Sequence, residues 1–132
     1  MNGEFVPLKV NSDEEVAIAR RYQVRWTPKL LLLDADGTPH YESYGFLPPA
    51  EFQAMLRLAR AAWLMNGRRM AEARQDLEDL VVATPQSALL PEALYWLGVA
   101  RSRTKDREGA VQIRAQLKER FPGNIWTMRL PS

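Results

Sequence analysis

The chain has 132 residues, 46% hydrophobic and 26% charged, which suits a globular body with a core of its own. It contains no cysteine and one histidine, His40, which excludes disulfides, thiolate metal sites, cysteine nucleophiles and histidine-rich metal centres. Eighteen basic against 16 acidic residues give a formal charge of +2, too even a balance for a nucleic-acid binder, so protein partners are expected before phosphate ones.

The segment Phe5 to Val10 is apolar and β-favouring and ends in a polar Asn11-Ser12-Asp13 cluster, which predicts a strand. Ser12 then serves as N-cap, with Glu15 at capping-box spacing, for a helix running to about Tyr22. After Trp26-Thr27-Pro28, the run from Lys29 to Asp34 reads as a strand covered on both faces. Asp34-Ala35-Asp36-Gly37 turns it into a hairpin whose return strand, about Thr38 to Phe46, sets His40, Glu42 and Tyr44 on one side and Tyr41 and Ser43 on the other. That first set reads as a solvated edge face, and Asp34-Ala35-Asp36-Gly37 as a turn lacking the downstream glutamate of a calcium loop. No metal, cofactor or catalytic residue is assigned.

From Pro49 onward the pattern is helical. Phe52, Met55, Leu56, Ala59 and Trp63 make the stripe of one helix, which Asn66-Gly67 ends. Further helices are expected over about Met70 to Ala83, from Pro91 through Arg103, and over about Arg107 to Arg120. Ala73, Leu77, Leu80 and Pro85 reappear as Ala110, Arg114, Leu117 and Pro122, each 37 residues on, an internal repeat in the range of helical solenoids. Trp126 and Met128 are expected to cap the last helix pair, with a dimer contact as the other option. The basic excess lies from Gly67 onward and reads as a solvated helix face.

Leu94, Leu97 and Gly98, with Ala110 twelve residues after the glycine and Pro122 closing the unit, resemble the tetratricopeptide repeat. Arg101 stands where that family has an aromatic residue, and Arg114 where it has a bulky apolar one. The first sixty residues resemble, in order, the later part of a thioredoxin-like domain: strand, acidic-start helix, Thr-Pro step, apolar strand, DxDG hairpin, edge strand and closing helix. The resemblance implies a cis-Pro-type, peptide-contacting loop at Trp26, Thr27 and Pro28, and it implies that the family's Cys-x-x-Cys strand-helix unit is missing. A gap would then lie in the sheet, closed by direct pairing of its neighbours, by a strand from another chain, or by residues upstream of a misplaced start.

The expected fold class is α+β: a partial thioredoxin-like α/β unit over 1–63, then an all-α tetratricopeptide-like region over 64–132. The expected function is a non-enzymatic protein- or peptide-binding module, with Trp26, Thr27 and Pro28 as one contact and Glu92, Tyr95, Val99 and Ser102, on one side of their helix, as a repeat groove. The alternative is the trailing part of a thiol–disulfide oxidoreductase whose redox segment is missing from the chain. The expected partner is a protein or peptide, with no nucleic acid, no membrane and no cofactor. A homodimer through open strands or C-terminal helices is a further option. Lacking a leader or a span, the chain reads as cytoplasmic if Met1 is the true start.

Overall fold

A computed structural model describes residues 8–11, 13–24 and 28–131. In chain order its elements are α1 (Val16–Arg21), β1 (Lys29–Leu33), β2 (Pro39–Tyr44), α2 (Pro49–Asn66), α3 (Met70–Ala83), α4 (Leu90–Arg103), α5 (Arg107–Arg120) and α6 (Ile125–Met128). The architecture is α+β: a two-stranded antiparallel sheet followed by a helical region.

The N-terminal expectations need correction. Phe5 to Pro7 and Ser12 lie outside the described residues. Leu8 to Val10 form no strand and are exposed, Leu8 by 87%, as befits a segment that no described strand pairs. Nor does α1 begin at the acidic cluster: the Asn11 side chain accepts the Asp13 N–H at 2.9 Å, and the Asn11 carbonyl accepts from Glu14 and Glu15. That local turn delays the helix to Val16 and puts Glu15 at the N-cap position, with no capping bond from its side chain.

The hairpin forms where expected. The turn closes through Gly37 N–H to the Asp34 carbonyl and through Asp36 Oδ1 accepting the Thr38 N–H at 3.0 Å. Gly37, at φ +86°, supplies the left-handed residue that this turn requires. Pairing runs from Lys29 opposite Tyr44 to Leu32 opposite Tyr41, and then an irregularity sets Leu33 opposite Pro39. His40 is thus an extra residue in β2 and does not share the environment of Glu42 and Tyr44. Its ring meets Asp34 and Asn66, while Glu42 pairs with Lys29. Nor is β1 covered on both faces: Leu30, Leu31 and Leu32 are half-buried and Leu33 is exposed. Tyr22 holds α1 to the hairpin by donating its hydroxyl to the Gly37 carbonyl at 2.8 Å and accepting Lys29 Nζ on its own carbonyl at 2.7 Å.

The helices follow the sequence closely, since their apolar stripes are long and periodic. Neighbours α2 and α3, α3 and α4, and α4 and α5 pack against one another, and β2 lies on α2. The core they share contains Leu58, Leu77, Leu80, Leu94, Leu97 and Leu117, each at most 1% exposed. Trp63 is the exception in the α2 stripe: it is 37% exposed and reaches the hairpin, donating its indole N–H to Asp34 Oδ1 at 2.9 Å.

The repeat is written in the backbone as well. After α2 the left-handed residue is Arg68 (φ 62°) rather than the neighbouring Gly67 (φ −81°), and after α4 it is Lys105 (φ 67°). In both turns the next N–H reaches back to the helix, from Arg69 to the Leu64 carbonyl and from Asp106 to the Arg101 carbonyl, each at 2.9 Å. The ends of α3 and α5 match too, with Thr84 at φ −130°, ψ 57° and Phe121 at φ −133°, ψ 54°. Each of these pairs is 37 positions apart (68 and 105, 69 and 106, 84 and 121). The pairs α2–α3 and α4–α5 are therefore two copies of one unit, with α2 longer at its start.

Candidate functional site

Glu92 lies in the first turn of α4 and is half-buried. Its Oε1 faces the Tyr41 hydroxyl of β2, and its Oε2 faces the Trp96 indole N–H one turn along α4, both at 3.4 Å. The carboxylate therefore joins the hairpin to α4 through the Tyr41 hydroxyl, while its second neutral donor, the Trp96 indole, lies on α4 itself. Burial raises the Glu92 pKa above the ordinary value of 4.5, against the two hydrogen bonds and the Arg129 charge, which act in the opposite direction. Burial, then the charge of Glu92, holds the Tyr41 hydroxyl in its neutral form, where it can donate.

Tyr95 and Trp96 form an aromatic cluster with Trp126 of α6. Ring centroids are 5.0 Å apart for Tyr95 and Trp96, 5.3 Å for Tyr95 and Trp126, and 5.9 Å for Trp96 and Trp126, all tilted or edge-on. The Asn124 side chain starts α6 by accepting the Trp126 N–H at 2.9 Å. Arg129 then lays its guanidinium over the Trp126 ring, 4.3 Å from the centroid. Trp126 thus packs against the last helix pair, whereas Met128 is 75% exposed and takes little part.

Of the residues expected from sequence to line a groove, Glu92 and Tyr95 are drawn into these internal contacts. Further along α4, Val99 is half-buried and Ser102 is exposed. In the expected loop, Trp26 and Thr27 lie outside the described residues, and the Pro28 carbonyl accepts the Gly45 N–H at 2.8 Å at the open end of the hairpin. Sequence reasoning did not connect Tyr41 or Arg129 with Glu92, because 51 residues separate Tyr41 from it and a lone arginine near a terminus carries no signal. The side assigned to Tyr41, opposite Glu42 and Tyr44, was the available clue.

The two departures from the repeat pattern have different outcomes. Arg101 donates to Glu78 Oε1 of α3 and to the Gly109 carbonyl of α5, at 3.3 and 3.4 Å. Arg74 joins the same group, bonding Glu78, Thr104 and Asp106. An aromatic position of the pattern has thus become a polar link among three helices. Arg114 is half-buried on α5 where its counterpart Leu77 is fully buried.

The histidine has a structural setting. His40 Nε2 donates to Asp34 Oδ2 at 2.5 Å, and its Nδ1 accepts from Asn66 Nδ2 at 2.8 Å. Together with Trp63 these bonds pin the hairpin turn to the end of α2. Asp34 is spent on His40 and Trp63, and Asp36 on the Thr38 N–H. No cluster of three or more metal-ligating side chains occurs among the described residues.

Comparison with known families finds two matches. Residues 1–60 match the thioredoxin-like domain, and residues 92–124 match the tetratricopeptide repeat. The chain therefore joins a thioredoxin-like segment to a tetratricopeptide repeat, the latter coinciding with α4 and α5. No curated protein and no solved structure matches it. No helix among the described residues is long and apolar enough to cross a membrane.

Proposed function

We propose that the chain is a non-enzymatic protein- or peptide-binding module, with the α4 face from Glu92 through Tyr95 and Val99 to Ser102 as its main contact and Trp26, Thr27 and Pro28 as a second. The observation that supports this most directly is the repeat match on α4–α5, since stacked repeats of this family generally mediate contacts between proteins. Val99 and Ser102 extend the face beyond the residues already engaged internally. In this reading the thioredoxin-like unit spans 1–63 and the repeat unit 64–132, with the division falling inside α2.

Panning a random dodecapeptide phage library against the whole chain tests it. Peptides should be enriched, and Val99→Asp and Ser102→Trp should each weaken them. Absence of enrichment would overturn the binding reading. Enrichment indifferent to both substitutions would remove the α4 face from it.

A second reading, the trailing part of a thiol–disulfide oxidoreductase, is favoured by the match over residues 1–60. Its chemistry needs a thiolate, and the sequence has no cysteine to supply one. Insulin-disulfide reduction should therefore stay at the level of a cysteine-free control protein. A higher rate would overturn the non-enzymatic reading.

A further inference from the structure

Glu92 is a half-buried carboxylate whose two hydrogen bonds are to neutral donors and long, and the Arg129 charge reaches it without an ion pair among those of the described residues. Each oxygen keeps lone-pair capacity for a charged donor. Beside it stand Trp96 and Trp126, the second already covered by the guanidinium of Arg129. Arg129 is itself exposed and follows directly after α6, a helix of four residues held by the Asn124 cap. The chain therefore displays, on one patch, an indole face that accepts a guanidinium and a neighbouring carboxylate that feels the Arg129 charge without a close ion pair. A planar guanidinium serves both, stacking on the ring while directing N–H groups at the carboxylate, which an ammonium does less well.

We propose that Glu92, Trp96 and Trp126 form an acceptor site for an arginine side chain of a partner protein, and that Arg129 is its internal occupant in the free chain. This rests on the reading of the α4 face as the binding surface. An incoming arginine has to displace Arg129 from Trp126, so apparent affinity is reduced by the fraction of time Arg129 occupies the ring. The partner segment fitting this description is basic and extended, with one arginine directed at the start of α4. Burial raises the pKa of Glu92 in spite of the Arg129 charge, so a guanidinium closer to the carboxylate has more to gain.

The test uses N-acetyl-arginine amide as probe, titrated into the full chain while the indole N–H resonances of Trp96 and Trp126 are followed by NMR. Both should shift saturably. Arg129→Ala should tighten binding about threefold or more, and Glu92→Gln should weaken it about tenfold. Arg129→Gln serves as a second variant should the alanine form unfold. No saturable shift, an equal response to N-acetyl-citrulline amide or N-acetyl-lysine amide, or unchanged affinity in both folded Arg129 variants would overturn the proposal. If phage-selected peptides bind the α4 face and keep their affinity when arginine is replaced by citrulline, this inference falls while the binding-module reading stands.

Discussion

The hairpin region and the helix pairs hold together by different means. Every fully buried apolar residue described lies between Ala54 and Leu117, on α2 to α5; α1, β1 and β2 contribute none. Besides the Tyr41 ring, which packs against that core, the hairpin is attached by directional polar contacts: Tyr41 to Glu92, Trp63 to Asp34, and His40 to Asn66. Burial scales with apolar area removed from water, whereas a hydrogen bond nets only about 0.5–1.5 kcal/mol. The hairpin thus adds little to the apolar core, which the thioredoxin-like match over residues 1–60 reaches only through α2, at Ala54, Met55, Leu58 and Ala59.

The strongest way to break this contrast is to remove equal side chains from each region. Leu94→Ala, in the α3–α4–α5 core, should cost about 2–5 kcal/mol in chemical denaturation followed by far-ultraviolet circular dichroism. Leu31→Ala, on half-buried β1, should cost less than about 1.5 kcal/mol and leave the helical signal intact. Equal losses would show that the hairpin shares the core's cooperativity after all.

A smaller effect is expected at the joint between α4 and α5. Asp106 caps α5 by accepting the Gly109 N–H at 2.9 Å and also pairs with Arg74 of α3. Asp106→Ala should therefore cost about 0.5–2 kcal/mol by thermal or urea unfolding. A loss below that range would mean that water replaces the cap without penalty.

The smallest effect concerns Gly98, which matches the glycine of the repeat pattern. A Cβ there would stand 3.5 Å from Ile113 Cγ2, an ordinary contact. Gly98→Ala should thus stabilise the protein by about 0.5–1 kcal/mol through the higher helix propensity of alanine. Destabilisation in the same urea titration would show that the helices do need the glycine.

The helical half was legible because each helix is long enough to repeat its apolar period several times, so that the expected limits of the Met70 and Arg107 helices match α3 and α5. The 37-residue displacement was likewise legible from Ala73, Leu80, Ala110 and Leu117. The N-terminal half was less so, because a strand is fixed by what pairs with it and Leu8 to Val10 have no described partner. His40 escaped because one irregularity after Leu32 changes the side a residue faces, and alternation cannot reveal it. In the candidate site, Glu92 and Tyr95 were visible from helical spacing. Their union with Tyr41, Trp126 and Arg129 depends on how separate elements dock, which spacing within one helix does not encode.

The left-handed turns at Arg68 and Lys105 bear on what a repeat is in this chain. A residue with a side chain holds that conformation at a cost of about 1–2 kcal/mol, and the protein accepts it at the same place in both units although a glycine stands beside the first. The ruler that measures the repeat is therefore a pair of backbone angles. Side chains along it are free to change, as Leu77 and Arg114 have, provided the chain reverses direction at the same beat.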